Sequence, residues 1–286
     1  MRENEGTFRG AGGTELFYRA ATPADRVPKA AVLLVHGHGD HSGGLYGLIT
    51  RLTDNGCTVY APDLRGHGRS PGTRGFIRSW DEYREDLHAL RTRIDAEQPS
   101  LPLYLMAHSL GGVISLDYVV RHGAGVAGLA AIAPAISYEA TPLDKLLVLA
   151  MGRFKPDYTV EKTGDLRQLT RDPDMLAKLQ ADPLRHNTVT PGLGRGLLRT
   201  LPMLTKSASS IRLPLLLQYG LADEITPPAE LHRFFDSVGS PDKQRIAYED
   251  VRHRPFDDLG RETFFADLLG WLDRQTAAGT HKTPSA

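Results

Sequence analysis

The chain has 286 residues, of which 41% are hydrophobic and 24% are charged, and its 34 basic and 34 acidic side chains give a formal net charge of zero. This length suits one α/β domain with an insertion, and the balanced charge excludes a basic surface for nucleic acid and a strong field for anionic membranes. The single cysteine, Cys57, excludes a disulfide framework within the chain, and its place at the start of an apolar strand predicts a buried side chain.

The two ends of the chain are polar. The N-terminus has no apolar signal core, and no apolar run in the chain reaches the ~20 residues that span a bilayer. We therefore expect a cytoplasmic protein, with peripheral association with a membrane left open and no oligomeric state predicted. The small polar residues 276–286 are expected to form a disordered tail.

Apolar strand patterns alternate with amphipathic helix patterns along most of the chain. Ser79 and Glu82, for example, form a capping box before a helix that runs to about Glu97. The alternation predicts an α/β fold with a mostly parallel central sheet and helices on both faces, built from residues 1–134 and 211–275. The clearest strand patterns cover residues 31–35, 104–107, 128–134, 213–220 and 244–249.

Ser109 lies where the apolar run 104–106 meets an amphipathic segment. This pattern predicts a strand, a sharp turn and a helix, with the serine hydroxyl raised at the tip of the turn as in a nucleophile elbow. Ala107 and Gly111 flank the serine, and their small size allows strand and helix to pass close together. Glycine is usual at the first of these positions, so the alanine weakens the match by one methyl group. Taken alone, the pattern also fits an ordinary tight turn.

A serine hydroxyl needs a base that takes its proton and a carboxylate that orients the base. Asp223 follows the strand pattern of residues 213–220, and His253 follows the last strand pattern, in the chain order expected for an elbow serine. Of the 11 histidines, His253 alone follows a predicted strand downstream of both Ser109 and Asp223. Glu224 is also acidic and is the alternative to Asp223.

Negative charge that develops on a substrate oxygen requires hydrogen-bond donors placed in advance. The backbone N–H of Leu110, at the start of the elbow helix, is one predicted donor, and the backbone N–H of His38, after an early strand, is the second. The imidazole of His38 is given no role in the chemistry.

The segment that contains His38 also supports a different function. His36, His38, Asp40 and His41 fit the pattern H-x-H-x-D-H, which resembles the zinc-binding motif of the metallo-β-lactamase superfamily. Closely spaced imidazoles and a carboxylate can hold one or two zinc ions and activate water. A zinc site would leave the elbow and its two partners unexplained and would need further ligands, so a zinc metallohydrolase is the alternative hypothesis.

The alternation of strands and helices breaks between about Pro134 and Ser210, where no clear strand pattern occurs. Residues 135–210 are therefore predicted to form a helical cap inserted over the carboxyl ends of the strands, where ligands bind in open α/β sheets. Apolar residues in the first helix of this segment either line a slot for an acyl chain or pack the cap onto the core. They are Leu146, Leu147, Leu149, Ala150, Met151 and Phe154.

Three motifs around the predicted site carry a family resemblance: HGHGDHSG at 36–43, YAPDLRGHGRS at 60–70 and AHSLGG at 107–112. They resemble the HGxGEHSGRY, APDLRGHGRS and GHSMGG motifs of the monoacylglycerol lipases and lysophospholipase-like enzymes of the α/β-hydrolase superfamily. Segments 169–173 and 182–184 resemble parts of the cap of these enzymes. The resemblance implies an α/β-hydrolase fold and a small-molecule substrate, a monoacylglycerol or a similar single-chain acyl ester.

Two departures from the family pattern bear on substrate and rate more than on reaction type. Segment 43–46 is one residue longer than the corresponding segment of the family motif and lacks its arginine, which stands beside the loop that carries His38. Arg254 follows His253 where glutamate is common in the family, which changes the charge beside the base.

The site residues together predict a serine carboxylic ester hydrolase that uses Ser109, His253 and Asp223 and needs no metal or organic cofactor. A serine peptidase or amidase on the same fold is an alternative, since it would use the same three residues. A binding protein that keeps the fold without the chemistry is a further hypothesis, and the complete set of three residues argues against it.

Overall fold

The structure, a computed structural model, describes residues 1–137 and 141–279. Ten strands lie in this part of the chain: β1 (Arg2–Arg9), β2 (Glu15–Thr22), β3 (Ala30–Val35), β4 (Cys57–Pro62), β5 (Leu103–His108), β6 (Val126–Ile132), β7 (Val160–Glu161), β8 (Thr188–Val189), β9 (Leu215–Gly220) and β10 (Lys243–Tyr248). The α-helices of the same residues are α1 (Tyr46–Asp54), α2 (Trp80–Glu97), α3 (Leu110–His122), α4 (Pro142–Phe154), α5 (Pro173–Ala181), α6 (Pro191–Ser207), α7 (Pro228–Ser237) and α8 (Arg261–Gly279).

Eight of the strands form one sheet in the order β1-β2-β4-β3-β5-β6-β9-β10. Strand β2 runs antiparallel to its neighbours β1 and β4, whereas the other neighbouring pairs are parallel. Strands β3 and β5 are buried along their full length, as expected for parallel strands covered on both faces. The predicted mostly parallel sheet is confirmed, and it brings the carboxyl ends of β3, β5, β6, β9 and β10 to one edge.

Helices cover both faces of this sheet. On one face, α1 and α8 contribute Leu48 and Phe264 to an apolar cluster, and on the other, α2, α3 and α7 contribute Leu87, Val113 and Leu231 to a second cluster. Alternate residues of β3 belong to the two clusters, because successive side chains of a strand point to opposite faces. Burial of apolar area in both clusters stabilises the sheet by roughly 25 cal/mol per Å².

The segment between β6 and β9 leaves the sheet and forms α4, α5, α6 and the two-stranded ribbon β7–β8. The sequence predicted no strand here, and each strand of the ribbon has only two residues, which is too short for a period to be detected. Helix α6 contacts α2, α3 and α4 and buries Leu193, Leu197 and Leu204 in the core. The insertion is therefore anchored to the main domain through α6.

The C-terminal prediction needs a correction. A disordered tail was expected over residues 276–286, but α8 extends to Gly279. Within its last turns, the Thr276 hydroxyl donates to the Leu272 carbonyl at 3.0 Å. The helix persists because Trp271 and Leu272 anchor it in the core. Residues 280–286 lie outside the described residues. Among the helices described, none combines the length and the apolar character that crossing a bilayer requires.

Candidate active site

Ser109 lies at a sharp turn between β5 and α3. Its backbone has φ 52° and ψ −117°, a conformation that residues other than glycine rarely adopt. Backbone hydrogen bonds of 3.0 Å from Ser109 N to the Ile132 carbonyl and from Ala135 N to the Ser109 carbonyl hold the turn. Gly111 must be small, because a Cβ at this position would lie 2.5 Å from the carbonyl oxygen of His36. The turn thus depends on strand, helix and neighbouring loop packing closely together.

Three side chains that are distant in sequence meet at this turn. His253 Nε2 lies 2.9 Å from Ser109 Oγ, and His253 Nδ1 lies 2.8 Å from Asp223 Oδ2. The exposed fractions of Ser109, His253 and Asp223 are 8%, 3% and 3%. Hydroxyl, imidazole and carboxylate therefore form one buried chain of hydrogen bonds. Such a chain allows the imidazole to take the hydroxyl proton while the carboxylate stabilises the imidazolium.

Asp223 is held by hydrogen bonds from its own loop. Its Oδ1 accepts from the backbone N–H groups of Ile225 and Thr226 at 2.9 Å each, and its Oδ2 accepts from the Thr226 hydroxyl at 2.5 Å. Burial alone would raise the pKa of this carboxyl, but the adjacent His253 and these hydrogen bonds bring the pKa below its ordinary value. Asp223 is therefore ionised at neutral pH, and the Nδ1 of His253 that faces it carries a proton.

The segment after β3 passes directly against the serine. A Cβ on Gly37 would lie 2.9 Å from the Cβ of Ser109. His36 fixes this segment, because its Nε2 accepts a backbone hydrogen bond of 2.9 Å from the loop after β4 and its Nδ1 donates to the Gly37 carbonyl at 2.7 Å. His38 follows in the same segment, and Leu110 is the first residue of α3. Both residues whose N–H groups were predicted as oxyanion donors thus belong to segments that adjoin Ser109.

Three of the four side chains of the zinc hypothesis are engaged with other partners. His36 is bound as described above, Asp40 forms ion pairs with Arg254 and Arg185, and His41 Nε2 lies 2.7 Å from Asp182 Oδ2. Within residues 1–137 and 141–279, no three His, Cys, Asp or Glu side chains are arranged so that they could hold a metal ion. The geometry gives these residues structural contacts rather than a shared coordination site.

Four histidines pack together beside this segment. The ring centroid of His38 lies 5.5 Å from that of His67 and 5.3 Å from that of His186. The ring centroid of His67 lies 4.6 Å from that of His186 and 5.4 Å from that of His36. Burial lowers the pKa of His38 to about 3 and that of His186 to about 4, and it holds the pKa of His67 well below its ordinary value. These imidazoles are neutral at neutral pH, with His36 and His67 buried and His38 and His186 half-buried.

The free energy of unfolding is expected to fall steeply as the pH drops below about 6.5. In the unfolded chain a histidine has a pKa of about 6.5, so below this pH the unfolded state binds protons that folded His38, His67 and His186 do not. The contribution of the neutral imidazoles to the free energy of unfolding is complete above that pH and is lost as the pH falls toward the folded-state pKa values. The loss is at most ~1.4 kcal/mol per pH unit for each imidazole and is smaller for the half-buried His186. Urea unfolding between about pH 7 and pH 4.5 measures this slope. His186→Gln should reduce the slope by about one proton, and an unchanged slope would contradict the explanation.

The residues predicted to line an acyl slot or to pack the cap onto the core lie on the outside of α4. The four largest are 43–80% exposed, and the side of α4 that meets α6 carries Val148 and Gly152 instead. The exposed members of this set therefore do not pack the cap onto the core, because the apolar pattern indicated an apolar face but not what covers it. That they line a slot for an acyl chain stays a prediction. Leu146, Leu147, Leu149, Ala150 and Phe154 are exposed, and Met151 is half-buried.

Two residues that the sequence did not single out contact the base and its carboxylate. His108 donates from Nε2 to the His253 carbonyl at 2.9 Å, and the two ring centroids are 4.7 Å apart. Thr226, besides binding Asp223, has its Oγ1 3.3 Å from His253 Nδ1. Their closeness in sequence to predicted site residues could have indicated these contacts. His108 directly precedes Ser109, and Thr226 completes the turn that Asp223 begins.

A serine on a strained strand–helix turn, linked through an imidazole to a buried carboxylate at the carboxyl edge of a mostly parallel sheet, defines a serine hydrolase with the α/β-hydrolase fold. The model of the Hydrolase_4 family, described as serine aminopeptidase, S33, matches residues 26–260. The chain belongs to this family.

Several relatives to which the chain is similar are named as monoacylglycerol lipases. The monoacylglycerol lipase of Mycolicibacterium smegmatis is 30% identical over 272 residues, which cover 94% of this chain and 96% of the relative. The human monoglyceride lipase is 27% identical, over 96% of this chain and 92% of the human protein. The crystal structure of Paleococcus ferrophilus monoacylglycerol lipase is similar with a TM-score of 0.81 at 30% identity, over 96% of this chain and 100% of that chain. The resemblance drawn from the motifs is confirmed.

Proposed function

We propose that the protein is a serine carboxylic ester hydrolase that acts on monoacylglycerols or similar esters with a single acyl chain. The observation that carries this proposal is the hydrogen-bond chain from Ser109 through His253 to Asp223, which puts a base 2.9 Å from an elbow serine. The names of the bacterial and human relatives support the substrate class. The family description, serine aminopeptidase, makes cleavage of amide bonds the second candidate.

In the proposed reaction, Ser109 Oγ attacks the ester carbonyl while His253 Nε2 accepts the hydroxyl proton. Asp223 keeps Nδ1 protonated and stabilises the imidazolium that forms. His253 then donates its proton to the leaving alcohol, and the acyl group stays bound to Ser109 as an ester. Water attacks this acyl-enzyme while His253 accepts a proton from the water. His253 then donates this proton to Ser109 Oγ, which releases the carboxylic acid and restores the hydroxyl and the neutral imidazole.

The backbone N–H groups of His38 and Leu110 are proposed to bind the oxyanion of each tetrahedral intermediate. Leu110 opens α3, so its N–H belongs to a helix N-terminus, where the partial positive charge of the helix favours an anion. The close approach of Gly37 to Ser109 brings the second segment to the same point. Each such donor is expected to contribute about 10²–10³-fold to kcat.

Residues 1–134 and 211–275 are proposed to form the hydrolase core, and residues 135–210 the cap that controls access to it. The insertion leaves the sheet after β6, the neighbour of the strand β5 that ends at the elbow, and returns at β9. Its Gln168 carbonyl accepts a hydrogen bond of 3.4 Å from His253 N, so the insertion contacts the segment that carries the base. A segment in this position can select substrates by the shape of the entrance that it leaves.

A hydrolysis panel tests the substrate class. Monoacylglycerols of increasing chain length are expected to show a kcat/KM about tenfold or more above that of a triacylglycerol and of alanine 4-nitroanilide, because one badly fitting part of a substrate commonly costs this much. The kcat/KM for a lysophospholipid, another ester with a single acyl chain, measures how much the headgroup matters. EDTA is expected to leave all rates unchanged. Cleavage of the anilide alone would favour a peptidase, and loss of activity in EDTA would favour the zinc hypothesis.

We further infer that the outer face of α4 contacts the surface of lipid aggregates. Four large apolar side chains at helical spacing are 54–80% exposed, and a contiguous apolar patch of this kind marks an interaction surface. Lys145 and Arg153 flank the patch with cationic groups that suit lipid phosphates. The four side chains are Leu143, Leu146, Leu147 and Phe154.

Cosedimentation with phosphatidylcholine vesicles measures this contact. Leu143→Asp and Leu147→Asp are each expected to weaken vesicle binding about tenfold, because each removes apolar area that would leave water. Val27→Asp is the matched control, since Val27 is 87% exposed but lies outside the insertion, and it should bind like the wild type. Equal binding by wild type and both α4 variants, or an equal loss in Val27→Asp, would contradict a lipid contact at α4.

A further inference from the structure

Arg254 is a buried cation that contacts two loops of the site. It is 1% exposed. Its Nη1 forms an ion pair with Asp40, its Nε donates to Asp257 Oδ2 at 2.7 Å, and its Nη2 donates to the Gly44 carbonyl at 2.7 Å. All three guanidinium nitrogens are therefore bound, and to partners from both sides of the active site.

These partners connect the base to the segment that carries the proposed oxyanion donor. Arg254 directly follows His253, and Asp40 follows His38 by two residues. Gly44, in the same segment as Asp40, allows the carboxylate to approach, since a Cβ at Gly44 would lie 2.0 Å from Asp40 Oδ1. The guanidinium of Arg254 thus links the segment that carries His253 to the segment that carries His38 and Gly44.

The network keeps its charges at neutral pH. Burial alone would raise the pKa of the Asp40 carboxyl, but Arg254 and Arg185 hold it well below its ordinary value. Burial alone would lower the pKa of Arg254, but Asp40 and Asp257 raise it above its ordinary value. A buried network of this kind is weak support for stability, because apolar groups of the same volume are often equally stabilising. The planar guanidinium, which binds several acceptors in one orientation, instead fixes the geometry of the loops that it joins.

We propose that Arg254 is a positioning residue that holds the imidazole of His253 and the backbone N–H of His38 at the spacing required by a tetrahedral intermediate. The inference rests on the proposed function. Nucleophile, base and oxyanion donors must converge on a single reacting carbon, and a displacement of about 1 Å costs about 10²-fold in rate. Arg254 acts on this convergence through its neighbours and does not contact the substrate.

Steady-state kinetics with p-nitrophenyl butyrate, normalised to folded protein, test this role. Arg254→Gln is expected to lower kcat about 10²-fold and to change KM less than about threefold, because substrate binding does not need the exact spacing. Arg254→Lys keeps the charge but cannot bind all partners, so its kcat should lie between those of the wild type and Arg254→Gln. Asp40→Asn should also lower kcat. The double variant should be no slower than the slower single variant, since both changes break one ion pair.

Arg84→Gln is the matched control. Arg84 Nη1 lies 2.7 Å from Asp117 Oδ2, and Asp117 has a second arginine partner, Arg121, just as Asp40 has Arg185. This ion pair joins α2 to α3 and contacts none of the three triad residues. Arg84→Gln should lower the melting temperature as Arg254→Gln does, yet leave kcat unchanged.

Three results would overturn the inference: a kcat for Arg254→Gln within about threefold of the wild type, losses that multiply independently in the double variant, or an equal loss of kcat in Arg84→Gln. If Arg254→Gln does not fold, Arg254→Lys and Asp40→Asn decide by the same criteria. Failure of the wild type to cleave this ester would refute the proposed function. An active wild type that is insensitive to Arg254 would refute the positioning role alone.

Discussion

Ser109→Ala is expected to lower kcat for p-nitrophenyl butyrate by about 10⁶-fold and to leave the fold intact. Ser109 Oγ is 2.9 Å from His253 Nε2, so the substitution removes the group that is proposed to carry the acyl chain. Alanine keeps the Cβ and meets the same backbone conformation, φ 52°, so a small change in melting temperature is expected. Turnover is measured on protein whose circular dichroism and melting temperature match those of the wild type.

Ser115→Ala is the control for this variant. Ser115 is fully buried in α3, and its hydroxyl has no hydrogen-bond partner within the part of the chain that the structure describes. Its kcat should equal that of the wild type. A fluorophosphonate should label wild type and Ser115→Ala but not Ser109→Ala. Turnover by Ser109→Ala above about 1% of the wild-type rate would show that another group is the nucleophile.

Asp223→Asn is expected to lower kcat about 10⁴-fold with little change in structure. The carboxylate accepts the hydrogen bond from His253 Nδ1 at 2.8 Å and so leaves Nε2 free to accept the serine proton. An amide that presents its N–H group to Nδ1 favours the other tautomer, in which Nε2 carries the proton and cannot act as a base. The measurement is kcat for p-nitrophenyl butyrate at neutral pH, together with the melting temperature.

Glu224→Gln separates this effect from a general loss of negative charge in the loop. Glu224 is adjacent in sequence and was the alternative to Asp223, but it is exposed and its Oε2 accepts from Gln168 Nε2 at 3.2 Å. Its substitution should leave kcat unchanged. A comparable loss in both variants would mean that charge near the loop matters, rather than the hydrogen bond to the imidazole.

The elbow could be predicted because its determinants are local. An apolar strand, a serine between small residues and an amphipathic helix follow one another within residues 104–122, and this order can be read from the sequence. The parallel direction of β3, β5 and β6 was predicted by the alternation of strand and helix patterns, whereas their order in the sheet was not. The ribbon β7–β8 could not be predicted, since two residues per strand carry no period.

The sequence by itself determined the fold class, the strand–turn–helix around Ser109 and the candidates Asp223 and His253, because periodicity, small residues and chain order are properties of short segments. The tertiary structure alone decided that the apolar face of α4 points outward, that the rings of His38, His67 and His186 pack against one another, and that Arg254 meets Asp40. Arg254 and Asp40 are 214 residues apart, so no local pattern records their contact. The physical reason is that the chemistry of a side chain limits which kinds of group it can bind, whereas the packing of segments distant in sequence determines which of these groups lies within reach.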